Sequence, residues 1–216
     1  MDRLSSIIDH TLLKPDFTRN QIIKLCKEAV DHKFASVCVP PSAVQLAKDQ
    51  VKHSEVLVCT VIGFPLGYTT TAAKLFETSH AIDQGADEID MVMNVSNAKS
   101  GDYHALQEDI EAVYSVCQQF NRVLKVIIET ALLNDTEKRK VCDICATIGV
   151  DFVKTSTGFS SSGATLADVR LMRSCLPKEI KIKASGGIRT GEFARALVDA
   201  GANRLGCSSS IDVINS

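Results

Sequence analysis

The chain has 216 residues, 45% hydrophobic and 23% charged, a balance that fits a folded globular protein and excludes intrinsic disorder. Lysine plus arginine total 24 against 26 aspartates and glutamates, a net charge of -2, whereas sequence-independent nucleic-acid binders are usually basic. No apolar run approaches the ~20 residues that span a bilayer, and Met1-Asp2-Arg3-Leu4-Ser5 lacks the apolar segment of a secretory signal, so a cytoplasmic location is expected.

Along the chain, short β-branched or apolar runs alternate with longer amphipathic stretches. The runs predict strands at 7–9, 35–39, 56–62, 88–93, 123–128, 152–155, 180–184 and 204–207. In the first intervening stretch Ile22, Cys26, Ala29 and Val30 share one face at helical spacing, which predicts a helix packed on that face. Thr18-Arg-Asn-Gln21, Asn134-Asp-Thr-Glu137 and Thr165-Leu-Ala-Asp168 read as capping boxes, or close variants, at helix starts. Strands that alternate with helices imply a parallel sheet, because each crossover is a helix. An open dinucleotide-binding sheet needs a G-x-G-x-x-G turn after its first strand. Asp9-His-Thr-Leu-Leu-Lys-Pro15 has no glycine, and no P-loop pattern occurs elsewhere. The expected fold is therefore a (β/α)8 TIM barrel, one domain over residues 1–216, with reactive groups at the C-terminal ends of the strands.

Eight cysteines are scattered through apolar stretches and read as reduced thiols that act as small core hydrophobes. Cys142-Asp-Ile-Cys145 lies in a helical pattern without a second pair, so neither a zinc nor a redox site is expected there.

Polar residues gather where strands end. Asp9 ends the first strand and can either join a lysine–carboxylate network or cap a turn; His10 beside it reads as structural. Asp90 lies within an apolar strand, facing opposite to Ile89 and Met91. A buried carboxylate needs a partner, so Asp90 is either a proton-transfer group beside lysines or half of an ion pair. Asp87 and Glu88, at the strand's start, are expected to be solvated. Lys125 and Glu129 are expected to play supporting roles at most. Lys154, followed by Thr-Ser-Thr-Gly158, points into the barrel; a strand lysine can also snorkel to solvent. Lys183 ends the next strand. Two ammonium groups ~5 Å apart at an effective dielectric of ~20 repel by ~3 kcal/mol. That is expected to lower one pKa from ~10.4 to ~8 and to raise the neutral fraction at pH 7 from ~0.04% to ~10%. Only the neutral amine attacks a carbonyl. Gly186-Gly187 and Gly206-Cys-Ser-Ser-Ser210 follow the last two strands, the usual place of a phosphate site in such barrels.

Six stretches carry a family resemblance: Asp9-His-Thr-Leu-Leu-Lys-Pro15, Val61-Ile-Gly-Phe-Pro-Leu-Gly67, Gly85-Ala-Asp-Glu-Ile-Asp-Met-Val-Met-Asn94, Lys125-Val-Ile-Ile-Glu-Thr130, Asp151-Phe-Val-Lys-Thr-Ser-Thr-Gly-Phe-Ser160 and Lys183-Ala-Ser-Gly-Gly-Ile-Arg-Thr190. In this order they resemble the short bacterial and archaeal deoxyribose-phosphate aldolases over nearly the whole chain. The resemblance implies a class I, metal- and cofactor-independent lyase. Such an enzyme reversibly cleaves 2-deoxy-D-ribose 5-phosphate to D-glyceraldehyde 3-phosphate and acetaldehyde in deoxynucleoside catabolism. It implies that Lys154 forms the Schiff base, Lys183 perturbs it, Asp90 relays protons and Asp9 supports them. It places the phosphate on Gly158, Gly186, Gly187, Gly206, Ser208 and Ser209, with Thr157 along the substrate. It also implies a homodimer that acts on small phosphosugar and aldehyde substrates, without nucleic-acid or membrane partners.

Three departures stand out. Phe159 occupies a position where some longer members have a lysine near the phosphate. Cys207 is expected to bring a thiol near the phosphate loop. The sequence stops at Ser216 without the tyrosine-ended tail of some members, so a water is expected to transfer the proton instead. The alternatives are a phosphosugar isomerase or epimerase on the same barrel, which needs a carboxylate or histidine base, and a non-catalytic phosphosugar-binding protein.

Overall fold

The structure, a computed structural model, describes residues 4–216; Met1, Asp2 and Arg3, on which part of the signal-peptide reading falls, lie outside the described residues. The elements run β1 (Ile8–Thr11), α1 (Arg19–His32), β2 (Ser36–Val39), α2 (Val44–Val51), β3 (Leu57–Ile62), α3 (Thr71–Asp83), β4 (Glu88–Val92), α4 (Val95–Ser100) and α5 (Tyr103–Gln119). They continue with β5 (Val123–Ile127), α6 (Asp135–Ile148), β6 (Phe152–Lys154), α7 (Leu166–Cys175), β7 (Lys181–Ser185), α8 (Gly191–Asp199), β8 (Arg204–Cys207) and α9 (Ser210–Ile214). The strands pair in sequence order, all parallel, and β8 closes on β1. This is the expected (β/α)8 barrel.

Local chemistry starts and stops the helices. Thr18 and Gln21 form a complete capping box on α1, and Asn134 and Glu137 form one on α6. At α7 the Thr165 side chain accepts from the Asp168 backbone N–H. Each such cap contributes about 1 kcal/mol. Helix α6 ends on Gly149 at φ 80, the left-handed conformation that glycine adopts without penalty. Helix α1 buries Ile22, Leu25, Cys26 and Ala29. Val30 is 37% exposed, so Leu25 takes the place that the spacing predicted for it.

Side chains alternate across each strand. Val37 and Val39, Ile89 and Met91, Val126, Val153, Ile182 and Leu205 face the helices and join them in the main hydrophobic core. Ion pairs tie neighbouring helices together: buried Lys74 on α3 to Asp109 on α5, and Lys138 on α6 to Asp168 on α7. All eight cysteines are free thiols, and the α6 pair Cys142 and Cys145 is buried. No helix of the described residues is long and apolar enough to cross a membrane.

Candidate active site

The strand faces that point into the barrel carry charge instead of apolar groups. Parallel register sets Lys154 opposite Lys183, Asp90 opposite Lys125, and Lys183 opposite Arg204. Closure then brings Asp9 and Glu88 to the same interior. Lys154 and Lys183 both donate to Oδ2 of Asp90, at 2.8 and 2.7 Å. Lys125 donates to Asp90 Oδ1 at 2.8 Å and to Glu88 at 2.6 Å. Cys59 Sγ also reaches Asp90 Oδ1, at 3.1 Å. Lys183 pairs with Asp9, and Arg204 reaches Asp9 at 2.6 Å and Glu88 at 3.2 Å. Asp9, Asp90, Lys125 and Lys183 are fully buried or within 1% of it, and Lys154 is 3% exposed.

Burial alone would neutralise such groups; here their partners prevail. Burial pushes the Asp90 carboxyl up, but Lys125, Lys154 and Lys183 together hold it well below the carboxylate range. Burial likewise raises Asp9, and Lys183, Arg204 and Lys125 outweigh it and leave Asp9 low. Burial depresses Lys183, yet Asp9 and Asp90 leave it above its usual value. Lys125 and Arg204 are raised by their carboxylates in the same way. The expectation that lysine–lysine repulsion lowers a pKa is therefore corrected for Lys183. The pairwise reckoning left out two carboxylates within bonding distance.

A cavity of about 630 Å³ opens above this cluster, at the C-terminal ends of the strands. It is lined by Lys154, Thr157, Gly158, Gly186, Gly187, Gly206, Ser208 and Ser209, among others. Of the cluster's charged side chains, Lys154 alone reaches it. Three glycine backbones shape the cradle. A Cβ on Gly163 would lie 2.2 Å from the carbonyl oxygen of Gly186, and one on Gly186 would meet Gly158 Cα at 3.4 Å. A Cβ on Gly206 would meet Lys183 Cε at 3.2 Å, so that glycine makes room for the lysine. The β6 and β7 loops are laced together, Ser185 Oγ donating to Ser156 O at 2.6 Å and Ala164 N to Ser185 O at 3.0 Å. Buried Glu129 accepts from both the backbone N–H and the hydroxyl of Thr157 and so orients that residue toward the cavity.

The structure thus gathers Lys154, Lys183, Asp90 and Asp9 in one cluster and arranges Thr157, the four named glycines and both serines around one cavity. Glu88 is a correction: it is 1% exposed and bonded to Lys125 and Arg204, because the first residue of β4 faces the barrel interior. Cys207 is another. Its side chain belongs to the core between barrel and helices, and burial pushes its thiol up to about 12. Gly206 is the residue of that pair which faces the cavity. His10 is held between Glu28 and Ser210, at 3.0 and 2.8 Å, outside the cavity lining. Phe159, 51% exposed, meets Phe64 edge-on at 5.2 Å on the cavity wall. Sequence reasoning missed Arg204 and Cys59 in the cluster, and Lys14 and Arg189 as cations on the cavity lining. Lys14 and Arg189 stand within the quoted motifs; Arg204 and Cys59 lie on strands already predicted, and only barrel closure assigns them.

The profile of the DeoC/LacD family aldolases matches residues 4–210. A Streptococcus uberis protein named deoxyribose-phosphate aldolase is 51% identical over 99% of this chain and 96% of its own length. A Thermoanaerobacter protein of the same name is 49% identical over 98% of this chain and 95% of its own. Among solved structures, the deoxyribose phosphate aldolase of Aeropyrum pernix, described as tetrameric, superposes with a TM-score of 0.93 at 34% identity. It covers 99% of this chain and 90% of its own.

Proposed function

Because this chain belongs to the DeoC/LacD family of aldolases, we propose that it is a deoxyribose-phosphate aldolase in which Lys154 forms a Schiff base with the substrate. One observation carries the assignment of the lysine: Lys154 is the member of the buried charge cluster that reaches the cavity. The charges of the cluster agree with it. Asp9, Glu88 and Asp90 supply three negative charges, and Lys125, Lys183 and Arg204 supply three positive ones. The interior is thus balanced when Lys154 is the neutral amine, the form that attacks a carbonyl.

In the synthetic direction the Lys154 amine adds to acetaldehyde, and the carbinolamine loses water to give an iminium. Asp90 Oδ2, 2.8 Å from that nitrogen, stabilises the positive charge as it appears. The iminium draws electrons from the methyl carbon, whose proton leaves to a water oriented by Asp90 and Lys183. The resulting enamine carbon bonds to the aldehyde carbon of glyceraldehyde 3-phosphate. Water then hydrolyses the new iminium and frees Lys154; cleavage runs the same steps in reverse. Backbone N–H groups of the Gly186–Gly187 and Gly206–Ser209 loops face the phosphate, with Arg189 and Lys14 as nearby cations. Asp9 holds Lys183 in place. The residues lining the cavity include no carboxylate and no imidazole, so the base that an isomerase or epimerase requires is missing from the described lining.

This reading carries a place in deoxynucleoside catabolism in the cytoplasm, where the eight free thiols would stay reduced. It also carries a homodimer, which light scattering on the eluting protein tests against the tetramer of the archaeal relative. The decisive experiment is borohydride reduction with acetaldehyde followed by peptide mapping. N-ethylation of Lys154 is the expected result, and an unmodified Lys154 would end the proposal.

A further inference from the structure

We infer that Arg204 and Glu88 are positioning residues: from the far end of the barrel they set, through Asp9 and Lys125, the charge that Lys154 faces. Both open their strands, β8 and β4, whereas Lys154 closes β6. Neither lines the substrate cavity. Two unbroken routes join them to the reacting amine. Glu88 accepts from Lys125 at 2.6 Å, Lys125 donates to Asp90 at 2.8 Å, and Asp90 accepts from Lys154 at 2.8 Å. On the other side Arg204 holds Asp9 at 2.6 Å, Asp9 pairs with Lys183, and Lys183 reaches Asp90 at 2.7 Å. Arg204 also grips both oxygens of Glu88, at 3.2 Å each, and lies over the Phe152 ring at 5.6 Å, which fixes its plane.

Interior charge comes from every side. Asp9 faces it from β1, Glu88 and Asp90 from β4, Lys125 from β5, Lys183 from β7 and Arg204 from β8, while Lys181 stands outside over Phe152. The thiols of Cys38 and Cys59 complete the ring from β2 and β3. Burial keeps Cys59 protonated, and its bond to Cys38 draws that neighbour's pKa down. Without Arg204, the balance described for a neutral Lys154 becomes one net negative charge, and the protonated lysine is favoured. Without the Glu88 charge it becomes one net positive charge, and the neutral amine is favoured. The two residues therefore act on the same amine with opposite sign, which loosened packing would not do.

The inference rests on the Schiff-base reading, and its test separates the two. The rate of N-ethylation of Lys154 by acetaldehyde and cyanoborohydride is followed against pH, with Cys38→Ala as a background that removes thiol titration. One unit charge ~10 Å away at an effective dielectric of ~20 moves a titration by about one pH unit. Arg204→Met should shift the acid limb of the profile upward by about one unit, a tenfold slower reaction near neutrality. Glu88→Gln should shift it downward by about as much. Arg204→Lys and the charge-balanced double variant Glu88→Gln/Arg204→Met should return it to the parent position. Limbs that stay put or move together would overturn the inference. If the single variants fail to fold, a displaced limb in Arg204→Lys or in the double variant would do so. Absence of the adduct from the parent protein would instead remove the Schiff-base reading.

Discussion

Replacing Lys183 with leucine tests the interior charge balance most directly. The Nζ atoms of Lys154 and Lys183 bond the same oxygen of Asp90, at 2.8 and 2.7 Å, so their separation is at most the sum of those two lengths. At ~5 Å and an effective dielectric of ~20 the repulsion between two ammonium groups is ~3 kcal/mol. Each 1.36 kcal/mol is about one unit of titration. The variant should therefore need a pH about two units higher to reach the same rate of imine formation, which near neutrality is about a hundredfold loss. Removal of one partner from a buried ion pair also costs about 3–5 kcal/mol of stability. For a chain of this length that lowers Tm by roughly 6–20 °C. The assay is single-turnover trapping of the acetaldehyde imine across the pH range, with calorimetry on the same samples. A stable, folded variant whose acid limb coincides with that of the parent would refute the electrostatic role of Lys183. A limb displaced downward would refute it as well, because loss of the Lys183 cation and release of its carboxylate partners both favour the protonated Lys154.

Three more outcomes follow from the same geometry. Lys154→Leu should abolish turnover while inorganic phosphate still binds, because the Gly186–Gly187 and Gly206–Ser209 loops do not depend on the amine; calorimetric titration reads the second half of that statement. Gly206→Ala should destabilise the protein by about 1–3 kcal/mol, and should slow turnover as well, because the new methyl would stand 2.9 Å from Ser185 Cβ and 3.2 Å from Lys183 Cε; thermal unfolding and kcat measure the two effects. Asp9 and Asp90 have folded pKa values held below the unfolded ones, so their contribution is whole above about pH 4 and is lost as pH falls through the folded values; urea midpoints should decline on the acid side, and Asp9→Asn should flatten that decline.

The barrel was legible because its strands are short β-branched or apolar runs between capped helices. The predicted runs at 56–62 and 204–207 fall on β3 and β8 to within a residue. What lay hidden is what closure creates. Glu88 sits beside Asp87 in the sequence, and both look like solvated acids at a strand's start. Only the half-turn between neighbours on a strand sends Glu88 inward to Arg204, 116 residues away, and leaves Asp87 to Lys48 near the surface. The same alternation carried Cys207 away from the phosphate loops and left Gly206 facing them. Lys154 and Lys183 were recognisable as a pair from adjacent strands, but their electrostatics depended on Asp9 and Asp90, whose exact neighbours no local pattern specifies. Helix α1 shows the effect at small scale: spacing placed Val30 on the buried face, whereas the structure buries Leu25 beside Ile22, Cys26 and Ala29 and leaves Val30 exposed.

Stability does not explain why the barrel is filled with charge. A buried ion-pair network can usually be replaced by apolar side chains of similar volume with little loss, or even a gain, in stability. Six mutually bonded charges without Lys154 would already be neutral, and such a set would be chemically inert. The seventh group changes this, because an amine placed against a balanced network has no carboxylate left to itself. Asp90 Oδ2 is shared with Lys183, so protonating Lys154 crowds a second ammonium onto an oxygen already occupied. In the proposed mechanism an iminium puts a positive charge on the same nitrogen only after the substrate is covalently attached, and that charge is discharged as soon as the enamine forms. The network would thus complement a nitrogen that gains and loses its charge while the substrate is attached, which is what the proposed imine chemistry demands. Stability would have been served by an aliphatic interior; the odd lysine at the mouth of the cavity is what the charges below it are arranged to support.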